Sequence, residues 1–211
     1  MDGLSGPEFR HVGLNLQDHP SLTTQQVESN IFGFWVFLMS DAVIFALLFA
    51  VYGTMLVGTA GGPGPAQEFK IGPAFLETLI LLTSSFTFGM ASMSMKYGRS
   101  ALGLFCWLLV TLFLGLAFLG MELNDFAAMF AHGAVPQRSG FLSSFFVLVG
   151  MHGLHVTAGA LWIIVMMVQI CVFGLDARVK INIIRLGLFW HFLDVVWVVI
   201  FSVVYLQGLM R

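Results

Sequence analysis

Long apolar runs alternate with short polar breaks along this chain, and the runs dictate its architecture. Five stretches, at about 31–57, 73–95, 101–129, 140–173 and 184–209, are each apolar over the roughly 20 residues that a helix needs to cross a hydrocarbon core. Lipid offers nothing to a bare peptide group, so each run is expected to be an α-helix with its backbone bonds closed internally. The fourth run is long enough to tilt or to project beyond the bilayer. The breaks carry turn chemistry: "GTAGGPGP" at 58–65, "KYGRS" at 96–100, "HGAVPQRSG" at 132–140 and "GLDARVKIN" at 174–182. Pro73 suits the first turn of the second helix. Residues 1–29 are polar and mixed in charge, with no basic stretch leading into an apolar one, so a cleaved signal peptide is not expected. No fixed-period repeat is visible. The pattern predicts an all-α membrane bundle of five helices over 30–211, preceded by a polar, partly disordered tail at 1–29.

Composition strengthens this picture. Of 211 residues, 58% are hydrophobic and only 9% are charged, against roughly 25% charged in soluble domains. Too few charges exist to cover a water-facing surface. The net charge of -2 and the scattered Lys and Arg exclude a nucleic-acid stripe. Charge also suggests orientation: Arg10, Lys96, Arg99, Arg178, Lys180 and Arg185 fall on one side, Lys70, Arg138 and Arg211 on the other. The more basic side is cytoplasmic by rule, which puts the N-terminus inside and the C-terminus in the periplasm. Cys106 and Cys171 stand in apolar runs with no ligand spacing, and are expected to be buried small apolar residues.

The ionisable residues within the runs need a reason, because a charge at mid-bilayer costs on the order of 2.5–3.5 kcal/mol. They are Asp41, Glu77, Glu122, Asp125, His152, His155, His191 and Asp194. Glu77 falls near the positive end of the second helix dipole. Glu122 and Asp125 are placed to snorkel at the outer interface. The other five lie deeper. At 1.5 Å per residue, Asp41 is roughly 15 Å from the inner face, and His152 and Asp194 roughly 12–13 Å. His152 and Asp194, on consecutive antiparallel helices, are expected to pair. His191 shares a face with Asp194, and His152 with His155. Two readings stand for this group: a satisfied polar network that sets helix register, and a proton relay or metal site. His152 and His155 with two further ligands would suffice for zinc, but few ligands converge, and neither metal nor haem is expected here. Gly150, Gly153, Gly159, Ser85 and Gly89 are small enough to let helices approach closely.

Seven segments in order resemble subunit III of the haem-copper respiratory oxidases, above all its cytochrome bo-type ubiquinol oxidase branch. They are "IFGFWVFLMSD" (31–41), "TAGGPGP" (59–65), "ETLILLTSS" (77–85), "FLGMEL" (118–123), "RSGFLSSFF" (138–146), "GMHGLHVTAG" (150–159) and "LFWHFLDVVWVVIFSVVYL" (188–206). The pairing of "HGLHV" with "WHFLDVVW" is highly specific. The stretch "MELNDF" departs from the family pattern at Asn124 and Asp125, yet keeps a carboxylate. The tail does not take part.

The resemblance implies a multi-pass protein of the bacterial inner membrane, a five-helix bundle with a V-shaped cleft holding phospholipid. It implies no cofactor in this subunit, the haems, copper and quinol site belonging to subunit I. Its partners would be subunits I, II and IV of a complex that oxidises ubiquinol, reduces oxygen to water and pumps protons. This subunit would support assembly, stability and sustained proton uptake. Asp41, Glu77, Glu122, His152, His155, His191 and Asp194 match family positions, in structural or lipid-facing and not catalytic roles. Two other readings remain: an accessory subunit of a cytochrome c oxidase or nitric oxide reductase, and a small proton-coupled transporter. The transporter lacks the inverted repeat and matched broken helices expected of it.

Overall fold

The computed structural model describes residues 24–59, 71–97 and 101–206. Five long helices account for nearly all of them: α1 (Thr24–Met55), α2 (Ile71–Lys96), α3 (Ala101–Ala131), α4 (Gly140–Phe173) and α5 (Ala177–Ile200), the last continuing as a π-helical turn over Phe201–Leu206. All five are long and apolar enough to cross a membrane. Two starts differ from the hydropathy reading. Residues 24–29, expected in the tail, are already helical, and α5 begins seven residues before 184. Both extensions are polar, so hydropathy alone hides them. Asp176 caps α5, its carboxylate accepting from the Ala177 N–H at 2.8 Å. Ser139 caps α4 through the Leu142 N–H at 3.1 Å. Gly174 closes α4 at φ 69°, a left-handed conformation that glycine reaches without strain. The rest of the tail and the loops at 60–70 and 98–100 lie outside the described residues, as do Arg10, Lys70, Arg99 and Arg211.

The helices are antiparallel neighbours in sequence. The pairs Phe34–Trp162 and Tyr52–Phe141 run α1 against α4, and Phe118–His152 and Phe126–Phe145 run α3 against α4. α5 touches α1, α2 and α4, and α3 closes the bundle against α2 and α4. α1 is peripheral, with only 17% of its apolar window buried against 50% for α5. Cys106 and Cys171 correct their expectation: both are exposed on outward helix faces. In a lipid-solvated bundle an outward thiol costs little, so apolar surroundings in sequence do not imply burial.

Apolar side chains gain little by leaving lipid for a helix interface, so close packing and interhelical hydrogen bonds must join the helices. Trp190 of α5 does both. A Cβ at Gly115 of α3 would lie 2.8 Å from its Cη2, and one at Gly159 of α4 would lie 3.0 Å from its Cζ3. Glycine at both positions makes the slot that the indole fills. Its Nε1–H donates to Ser84 Oγ of α2 at 3.1 Å. Two turns on, Trp197 Nε1–H donates to Thr78 Oγ1 of α2 at 3.1 Å. Gly187 receives Phe88 of α2 in the same way, a Cβ there falling 2.8 Å from Cε1. Thr87 and Thr111 join α2 to α3 at 2.8 Å.

Trp190→Phe keeps a ring in the slot but loses the donor, and is expected to cost about 0.6–1.7 kcal/mol. Trp190→Ala, which empties the slot, is expected to cost about 3–5 kcal/mol. Reversible unfolding in mixed micelles measures both, and equal losses would show that ring packing contributes nothing beyond the hydrogen bond.

Candidate functional site

The buried polar side chains fall into two layers. The middle layer holds Asp41, His155, Ser85, His191 and Asp194, with His152 beside it. The outer layer holds Glu77 and Glu122.

Asp41 of α1 faces His155 of α4, with Oδ1 3.3 Å from Nε2. His155 Nδ1 lies 2.7 Å from the Met151 carbonyl. A carbonyl only accepts, so Nδ1 carries a proton and Nε2 is the atom that meets the acid. One proton is then shared along the Nε2–Oδ1 line, resting on either partner. Phe45 and Phe189 flank the ring at 5.3 and 6.4 Å between centroids. The second carboxylate oxygen of Asp41 is buried without a hydrogen bond. The arrangement ties the peripheral α1 to the bundle at mid-depth.

His191 of α5 lies 2.8 Å from Ser85 Oγ of α2 through Nδ1, and 3.6 Å from Asp194 Oδ2 through the same atom. The i, i+3 spacing does bring the last two together. Asp194 is buried, whereas the side chain of His191 is 47% exposed on the outside of the bundle.

The expected pairing of His152 with Asp194 does not occur. His152 is fully buried, and its Nε2 reaches the backbone carbonyl of Leu193 at 3.3 Å. Phe118 and Trp197 enclose the ring at 5.7 and 5.2 Å. Successive helical residues point about 100° apart. His152 meets α5 on its Leu193 side, while the Asp194 carboxyl turns toward α2. His152 and His155 likewise share a helix face but not a purpose: one packs into α3 and α5, the other reaches α1.

Glu77 and Glu122 are also placed differently from the expectation of interfacial carboxylates. Both are buried, at 1% and 5% exposure, inside the bundle. Glu122 of α3 lies over Gly153 of α4, where a Cβ would come 2.5 Å from Oε1. Gly153 therefore makes room for a carboxyl group. Gly89 and Gly150 face open space, and no close approach depends on them. Asp125 borders a groove of about 510 Å³ between α2 and α3, with Pro73 and Gly120 on its walls. A second groove of about 260 Å³, almost wholly apolar, runs between α1 and α4 past Leu48, Met55 and Val147. Among the described residues, no three His, Cys, Asp or Glu side chains are grouped to hold a metal ion. Sequence reading passed over the Trp190–Ser84 and Trp197–Thr78 bonds. The signal was available in two tryptophans seven residues apart on one helix face, with hydroxyls six apart on another helix.

The Asp41–His155 pair lends itself to a double-mutant cycle. Asp41→Leu and His155→Leu are each expected to destabilise the fold by more than 1 kcal/mol, since each leaves a buried polar partner behind. The double variant is expected to recover about 1 kcal/mol or more relative to the sum. Additive losses, measured by unfolding in micelles, would mean that the two groups do not interact.

The arrangement has counterparts in known proteins. A family model described as cytochrome c oxidase subunit III matches residues 15–209. The cytochrome bo(3) ubiquinol oxidase subunit 3 of Pseudomonas aeruginosa (strain PAO1) is 51% identical over 180 residues, covering 85% of this chain and 86% of its own. Its counterpart of the same name in Pseudomonas putida is 48% identical over 183 residues, covering 87% and 88%. The quinol oxidase subunit 3 of Bacillus subtilis (strain 168) is 44% identical over 180 residues, covering 85% and 88%. The family match runs through all five helices and both polar layers, and the protein belongs to the cytochrome c oxidase subunit III family.

Proposed function

We propose that this chain is the non-catalytic third subunit of a haem-copper quinol oxidase in a bacterial respiratory chain. The observation that carries the reading is the extended similarity to proteins named as subunit 3 of quinol oxidases, at 44–51% identity over most of the chain. The use of the buried polar groups supports it. Asp41–His155, His152–Leu193 and Ser85–His191 each join two helices. That is the work of a scaffold.

In this reading the complex oxidises ubiquinol and reduces oxygen to water with proton pumping. Subunit I supplies haem, copper and the quinol site, and subunits II and IV complete the assembly. The chain is an inner-membrane, multi-pass protein formed of one five-helix domain behind a polar N-terminal segment, with its N-terminus cytoplasmic and its C-terminus periplasmic. Arg178, Lys180 and Arg185 at the start of α5 support that orientation. Its contribution is to assembly, stability and sustained proton uptake by the catalytic subunit. The apolar groove between α1 and α4 is of a kind that takes a phospholipid acyl chain.

Purification tests the reading directly. An affinity-tagged chain, solubilised mildly from its own membranes, is expected to bring with it a large haem-bearing subunit and quinol-dependent oxygen consumption. Expressed by itself, the chain is expected to show no haem absorbance. A tagged chain that elutes without a haem protein, or that binds haem alone, overturns the proposal.

A further inference from the structure

His191 presents half of an imidazole to the outside of the bundle at the worst depth for it. It stands midway along the span Ala177–Leu206, roughly 21 Å of helix from one end and 22 Å from the other. Hydrocarbon cannot hydrogen-bond there, and a polar group left bare in it costs several kcal/mol. Other outward polar side chains in the spans avoid this cost. Ser40, Thr54, Thr83 and Ser202 each donate to a carbonyl of their own helix. His191 does not. Its Nδ1 is held by Ser85 at 2.8 Å with Asp194 behind it, which fixes the ring and leaves Nε2 pointing away from this chain. No hydrogen-bond partner for Nε2 exists among the described residues.

The surface around the ring is shaped for a helix. His191, Val195, Val198 and Ser202 form an exposed stripe on α5. Their spacing of four, three and four is that of a helix–helix seam, and two short β-branched side chains on it allow close approach.

We infer that the His191 stripe of α5 is a docking face for a membrane-spanning helix of the haem-bearing catalytic subunit, and that this helix supplies a hydroxyl or amide side chain to His191 Nε2. The inference rests on the quinol-oxidase reading and adds to it the face and the polar contact. The occupant is a protein helix because the stripe runs along the span over three turns, whereas an acyl chain would leave the imidazole without a partner.

The test uses the intact complex in its native membranes. With a photoreactive p-benzoylphenylalanine replacing Val195, irradiation is expected to cross-link this chain to the haem-bearing subunit. His191→Leu is expected to lower the amount of chain retained on the purified complex about threefold to tenfold, the worth of one interhelical hydrogen bond in a membrane. His191→Gln, which still hydrogen-bonds, is expected to keep most of the retention. A cross-link only to lipid, or to a different subunit, overturns the named partner. Wild-type retention of the Leu variant overturns the polar contact. Both outcomes leave the quinol-oxidase reading intact so long as the unmodified chain co-purifies with haem. If the unmodified chain does not, that reading fails first.

Discussion

The bundle is organised by one side chain that touches three helices besides its own. Trp190 lies in a slot made by Gly115 and Gly159, and its indole N–H reaches Ser84. In water, burial of a tryptophan would suffice to draw α2, α3 and α4 around α5. In lipid it does not, because acyl chains solvate an indole ring nearly as well as protein does. What singles out this arrangement is shape and direction. The glycines allow contact that no larger residue would, and the hydrogen bond sets the register of α5 against α2. Trp197, bonded to Thr78 two turns further on, repeats that register and sets the two helices antiparallel.

The same logic explains why so few charged residues are spent within the spans. Each polar contact is directional and has no competitor in hydrocarbon, so one per helix pair is enough to specify it. Asp41 and His155 attach α1, which has little buried surface of its own. His152 attaches α4 to a backbone carbonyl of α5. Glu122 fits over Gly153, and the carboxyl and the glycine are explicable only together. A subunit without redox centres can still owe its fold to titratable residues, because in a membrane these are the strongest available means of naming a neighbour.

The three histidines of the spans show how far residue type falls short of role. His152 is enclosed by aromatic rings, His155 meets an acid on the peripheral helix, and His191 is turned outward with an acid behind it. All three come from the motifs "HGLHV" and "WHFLDVVW", which identify the family without assigning a partner to any of them. Exposure separates them, and exposure is a property of the packed bundle.

Sequence alone determined the number of spans, their helical state and the family. Length and apolarity fix the first two, since a peptide backbone in lipid has no other way to satisfy itself, and ordered motifs supply the third. It also brought His191 and Asp194 together, a local relation carried by helical geometry. Tertiary structure decided the rest. The helices are apolar almost all round, because their outer faces meet lipid instead of water, so no polar face marks which side turns inward. Whether His152 meets Asp194 or the carbonyl of Leu193, whether Glu77 is interfacial or buried, and whether Cys106 is covered all depend on helix rotation. In this chain rotation is set by glycine slots and a few hydrogen bonds between residues far apart in sequence.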